Sequence, residues 1–166
     1  MTGSAGQTGA AAGAYGQAGA GGSGPVIAAL QDALAAEQAA SYGYGVVGAR
    51  LPQGSPTQSQ ATTDWVAHVR ARDQLTQLIS ARGATPTPAA VAYQLPFPVS
   101  SPAQAMALAA TLEDRVAGAY LGLVALADTG LRNLGAEQVK AAALRAEAWR
   151  GTTEAFPGLP ASSLRR

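Results

Sequence analysis

The stretch ATPTPAAVAYQLPFPVSSP (84–102) constrains the fold most. It is too rich in proline for a helix interior and too long for a tight hairpin between antiparallel helices. Two helical segments precede it and two follow, and in the first three the inward positions recur at alternating spacings of three and four, the period of an amphipathic helix. Leu30, Leu34, Glu37, Ser41, Tyr44 and Gly48 predict a first helix over about 26–50, entered at Pro25. LPQGSPTQSQ (51–60) breaks it, and Trp65, His68, Arg72, Leu75 and Ile79 predict a second over about 61–82. Beyond the crossover, Ser101-Pro102 offers a cap and first turn to a third helix, whose stripe of Met106, Ala109, Glu113, Val116, Tyr120 and Leu123 runs to about Asp128. Thr129-Gly130 turns the chain into a fourth helix over about 131–151, stopped by the glycine of WRG and the prolines of FPGLP. Links in the order short, long, short predict an all-α four-helix bundle with a long crossover between helices 2 and 3.

Composition agrees with one such domain over 25–160. The 166 residues include 40 alanines, which favour helix and let helix axes approach closely, and aromatics are only 5%. Residues 1–24 hold nine glycines and no charge, so they read as a disordered Gly/Ala-rich tail, and 161–166 read as a frayed C-terminus. A net charge of +1 gives no field to gather nucleic acid or an anionic membrane. Every helix carries charge, which argues against a membrane bundle, and the tail lacks the basic and apolar regions of a signal peptide, so the expected location is cytoplasmic. The absence of cysteine excludes disulfides, thiol nucleophiles and iron–sulfur ligation. No GxxxxGK[ST] phosphate loop is present.

The chemistry lies in the ionisable residues on the inward stripes. Glu37, His68, Arg72 and Glu113 occupy positions that otherwise hold Leu, Trp, Val and Ile. Buried charges must pair, bind a metal or change protonation state. Glu37 and Tyr44 are seven residues apart, as are Glu113 and Tyr120, which puts each pair on one helix face two turns apart. Arg72 follows Glu37 and Arg145 follows Glu113 at comparable distances, so the two hairpins echo each other.

This layout resembles the ferritin-like superfamily, in which helices 1 and 3 each supply a Glu and helices 2 and 4 each supply a Glu-x-x-His around two irons. Glu37 and Glu113 match. Helix 2 has His68 but Trp65 in place of the glutamate, and helix 4 has Glu147 followed by Arg150. AEQAASYGYGVVGARLP, HVRARDQL, AYQLPFPV and FPGLP are similar to an alanine-rich, actinobacterial ferritin-like domain of unknown function.

Three readings follow. In the first, a non-enzymatic bundle closes its degenerate metal site with a buried network of Glu37, Tyr44, His68, Arg72, Glu113, Tyr120 and Arg145, needs no cofactor and binds or scaffolds; Trp65 and Trp149 then fill the bundle ends or the face of a homodimer. In the second, Glu37, His68, Glu113 and Glu147 hold iron or manganese for oxidoreduction. In the third, a small molecule or peptide binds beneath the 84–101 crossover.

Overall fold

The computed structural model describes residues 20–152, and among them every regular element is helical. Four helices follow in order: α1 (Ala20–Arg50), α2 (Pro56–Ser80), α3 (Pro102–Val124) and α4 (Thr129–Arg150). The links 51–55 and 125–128 are short and the crossover 81–101 is long, as the bundle reading requires. Residues 1–19 of the expected tail and the expected frayed end, 161–166, lie outside the described residues.

The helix starts explain where the expected boundaries move. Ser55 and Ser101 each accept a hydrogen bond from the backbone N–H three residues on, at 3.1 and 3.3 Å, with a proline in the first helical position. The pattern that opens α3 therefore also opens α2, five residues earlier than the loop-like composition of 51–60 implied. α1 begins at Ala20 rather than Pro25; a proline this near a helix start removes only one intrahelical bond. Asp128 caps α4 by accepting from Leu131 N–H, and Gly151, at φ 76°, ends it in the left-handed conformation that glycine adopts freely.

Ala29 lies beside Gly122 and Gly43 against Leu112, so α1 and α3 run antiparallel. The extensively packed pairs are α1 with α2, α1 with α3, and α3 with α4. α1 and α3 each face two neighbours at once, and each buries residues in adjacent pairs (Ala29 and Leu30, Ala33 and Leu34; Leu108 and Ala109, Val116 and Ala117). The crossover is laid along α1 by side chains: Gln31 and Gln38 donate to the carbonyls of Thr85 and Thr87, each at 2.8 Å, and Arg50 donates to that of Val99 at 3.0 Å.

Two apolar clusters fill the bundle. One centres on Leu30, Leu34, Leu75, Ile79, Val116 and Leu123, the other on Val47, Leu51, Leu108, Leu112 and Trp149. Between them in sequence, on each of α1, α2 and α3, sits a buried ionisable residue: Glu37, His68 and Glu113.

Gly135 fixes the approach of α4 to α3, since a Cβ there would lie 2.9 Å from Leu123 Cβ and 3.0 Å from the Tyr120 carbonyl oxygen. Backbone cannot yield as a side-chain tip can, so Gly135→Ala is expected to destabilise the protein by about 1–3 kcal/mol. Urea denaturation monitored by circular dichroism measures the change.

Candidate functional site

His68 sits at the centre of the bundle, 1% exposed. Its Nδ1 is 2.7 Å from Glu37 Oε2 on α1, and its Nε2 is 2.9 Å from Glu113 Oε1 on α3. A neutral imidazole has one N–H and one lone pair, so it can donate to only one of two carboxylates. Donation to both needs the imidazolium. Burial is the largest influence and pulls the imidazole pKa down, but hydrogen bonds to Glu113 and Glu37 and their charges together outweigh it and raise it to about 9. The same pairing holds the Glu113 carboxyl below its usual range, against a burial effect that alone would raise it; Arg145 adds to the lowering.

Arg145 brings α4 to the site. Its Nε lies 3.0 Å from Glu113 Oε2, an ion pair by distance, although the N–H is not aimed along the contact and neither atom has a hydrogen bond of good geometry. Burial lowers the guanidinium pKa and Glu113 more than restores it, leaving it raised.

Two tyrosines complete the layer. Tyr44 donates to Glu113 Oε1 at 2.6 Å, and its ring is tilted beside that of His68 with centroids 5.0 Å apart. Tyr120, buried in the cluster on the other side, faces Glu37. Both phenols are pushed far above their ordinary range, by burial first and then by the carboxylates they face, so they act as neutral donors.

The structure thus brings together Glu37, Tyr44, His68, Glu113, Tyr120 and Arg145. It does not bring Arg72 or Glu147 to them. Arg72 is 37% exposed and folds onto Asp73, with Nη2 2.8 Å from Oδ1. The inward face of α2 is Ala61, Asp64, His68, Ala71, Leu75 and Ile79, one residue before the expected register at Trp65 and Arg72. Glu147 is half-buried, about 200° around α4 from both Arg145 and Trp149, which places it off the inward face.

Sequence reasoning missed Asp64 and misplaced Trp149. Trp149 Nε1 donates to both Asp64 Oδ2 and Tyr44 Oη, each at 2.9 Å, and Gln60 donates to the two Asp64 oxygens at 3.0 and 3.1 Å. Trp149 is therefore a buried link from α4 to α2 rather than an end filler. The signal for Asp64 was present: Ala61, Asp64, His68, Ala71 and Leu75 keep the three-four rhythm as well as the series beginning at Trp65.

A metal needs lone pairs turned toward one point. Glu37, Asp64, His68 and Glu113 are the available donors, but both His68 nitrogens are committed to carboxylates, and Arg145 places a cation on Glu113. Among the described residues, no group of three or more His, Asp and Glu side chains is arranged to hold a metal ion.

The profile of a family described as Domain of unknown function (DUF4439) matches residues 29–161, a span that includes every residue of this network. The chain belongs to this family. It is also similar to the crystal structure of a conserved hypothetical protein, rv2844, from Mycobacterium tuberculosis, with 37% sequence identity and a TM-score of 0.72. The match covers 76% of this chain and 96% of that one. No curated protein matches the chain significantly.

Two outcomes follow. A histidine pKa raised in the folded state stabilises fully below the unfolded value near 6.5, and that contribution is lost as pH rises through about 9. Glu113, with its pKa lowered, stabilises above about 4.5 and loses that contribution on acidification. Urea unfolding across pH 4–10 is expected to show greatest stability between about pH 4.5 and 6.5 and a fall from about pH 6.5 to about 9 that His68→Gln abolishes. Arg145→Ala is expected to cost about 3 kcal/mol by stranding Glu113, whereas Arg72→Ala costs less than about 0.5 kcal/mol; chemical denaturation of the two variants separates them.

Proposed function

We propose that this protein is a ferritin-like bundle whose central site operates without metal and that its role is binding or scaffolding rather than catalysis. The ferritin-like reading is supported by the short, long, short links and by glutamates projecting from the middle of α1 and α3 toward a histidine on α2. The metal-independent reading rests on one observation: both nitrogens of His68 are engaged by carboxylates, so the imidazolium occupies the charge-balancing place that a cation would take. Arg145 supplies the second positive charge. The oxidoreductase alternative needs Glu37, His68, Glu113 and Glu147 to converge on iron or manganese, and Glu147 lies off the inward face. His68 is charged and so is not a neutral base, and the two phenols are held protonated.

Elemental analysis of the full chain, produced with iron and manganese in the medium, is expected to find far less than one ion per chain. Thermal unfolding is expected to be unchanged by chelator or by added Fe²⁺ or Mn²⁺. Two ions per chain, or a metal-dependent rise in unfolding temperature that Glu37→Gln removes, would overturn the reading.

A further inference from the structure

α3 outruns the helix it packs against. Gly135 on α4 lies against Tyr120, Leu123 and Val124 of α3, whereas Trp149 and Arg150 share a groove with α3 residues between Ala103 and Thr111, so the two helices are antiparallel. Arg150 is fifteen residues beyond Gly135, which brings it level with about residues 105–109 of α3. α4 therefore stops about one turn short of the start of α3, and the first turn of α3 has no part of α4 beside it.

The groove left at this corner holds about 460 Å³. Ala103, Met106, Ala107 and Ala110 of α3 form its floor, and Trp149 and Arg150, the last two residues of α4, form its side. The polar side chains that line it are engaged elsewhere. The Thr111 hydroxyl donates to the Ala107 carbonyl at 2.8 Å, Arg150 pairs with Asp114, and the Trp149 indole N–H is turned inward to Asp64 and Tyr44. Methyl groups, a thioether and indole carbons remain, a lining suited to an uncharged apolar occupant.

The chain beyond α4 supplies one. The family profile continues to residue 161, eleven residues past the end of α4, so the shared domain does not stop where the fourth helix does. Within those residues AFPGLP (155–160) is an uncharged run with two large apolar side chains, Phe156 and Leu159. It leaves α4 at the edge of the groove: the five residues from Gly151 to Phe156 reach at most about 17 Å, and the floor from Ala103 to Ala110 spans about 10 Å of helix. Its two prolines reduce the conformational freedom lost on docking, and unbranched Met106 adapts to the shape of what covers it.

We propose that residues 155–160 of this chain bind in the α3–α4 groove, with Phe156 and Leu159 set against Met106 and the alanines, and so form a fifth packed element that closes the bundle over Trp149. The inference goes beyond the metal-free reading of the centre and does not depend on it, since metal content tests that reading and access to the groove tests this one.

The chain has no cysteine, so a single introduced thiol reports the cover. Ala107 is exposed on the described bundle, as is Asn133 near the opposite end of α4. The full chain carrying Ala107→Cys or Asn133→Cys is labelled with iodoacetamide. Adding Phe156→Ser or Leu159→Ser is expected to speed the labelling of Ala107→Cys at least about 10-fold, because protection follows the fraction of time the groove stands open, and to leave Asn133→Cys unchanged. Circular dichroism checks that the helices are kept in each variant. Protection is expected to be the same at every protein concentration, as a segment of the same chain requires. A labelling rate that neither serine substitution changes would overturn the proposal. Protection that grows with protein concentration would also overturn it, by assigning the groove to the segment of a second copy.

Discussion

A doubly protonated histidine held between two glutamates ties the bundle together. His68 on α2 reaches Glu37 on α1 with one nitrogen and Glu113 on α3 with the other, and Arg145 on α4 adds its charge to Glu113. Four helices thus meet at one layer. Burying charges is expensive, and an apolar layer of equal volume is often as stable, so the physical consequence of such a layer lies in alignment rather than raw stability. Sliding one helix by a turn, about 5.4 Å, would separate the imidazolium from a carboxylate and leave a buried charge unpaired. Leucine and alanine faces impose no comparable penalty, because one small apolar contact replaces another.

The layer also decides where the bundle is tight and where it is open. α1 and α3 pack at close range through Gly43 and Gly122, and α3 and α4 through Gly135. α2 and α4 are linked instead by the Trp149 indole reaching Asp64. That indole, with the Tyr44 hydroxyl between it and Glu113, extends the polar layer from Glu113 to Asp64.

Much of the fold was legible because helix period and proline placement are local signals. The crossover was readable from its prolines and the start of α3 from the Ser101-Pro102 cap, whereas the same pair at Ser55-Pro56 was hidden by the loop-like residues around it. Glu37 and Glu113 were identifiable because a charge on an apolar stripe is conspicuous. Arg72 was misassigned for a geometric reason: on α2 two registers one residue apart both fit, and a large tryptophan at 65 outweighed the small Ala61 and Ala71 that mark the true inward face. Large apolar residues are informative about burial only when the helix is rotated to turn them inward, and the register that buries Ala61, Asp64 and His68 leaves Trp65 43% exposed.

The sequence alone determined four helices, their order, the long link between the pairs, and the presence of more acid and base on the inward stripes than an apolar core can hold unpaired. Those properties depend on residues near one another in the chain. Which acid meets which base was decided only by tertiary structure, since Glu37, His68, Glu113 and Arg145 come from four different helices and their pairing depends on how each helix is rotated about its axis. A rotation of 100°, one residue of register, exchanges Asp64 for Trp65 at the centre. Local periodicity does not fix that angle; the packing of alanine and glycine faces does.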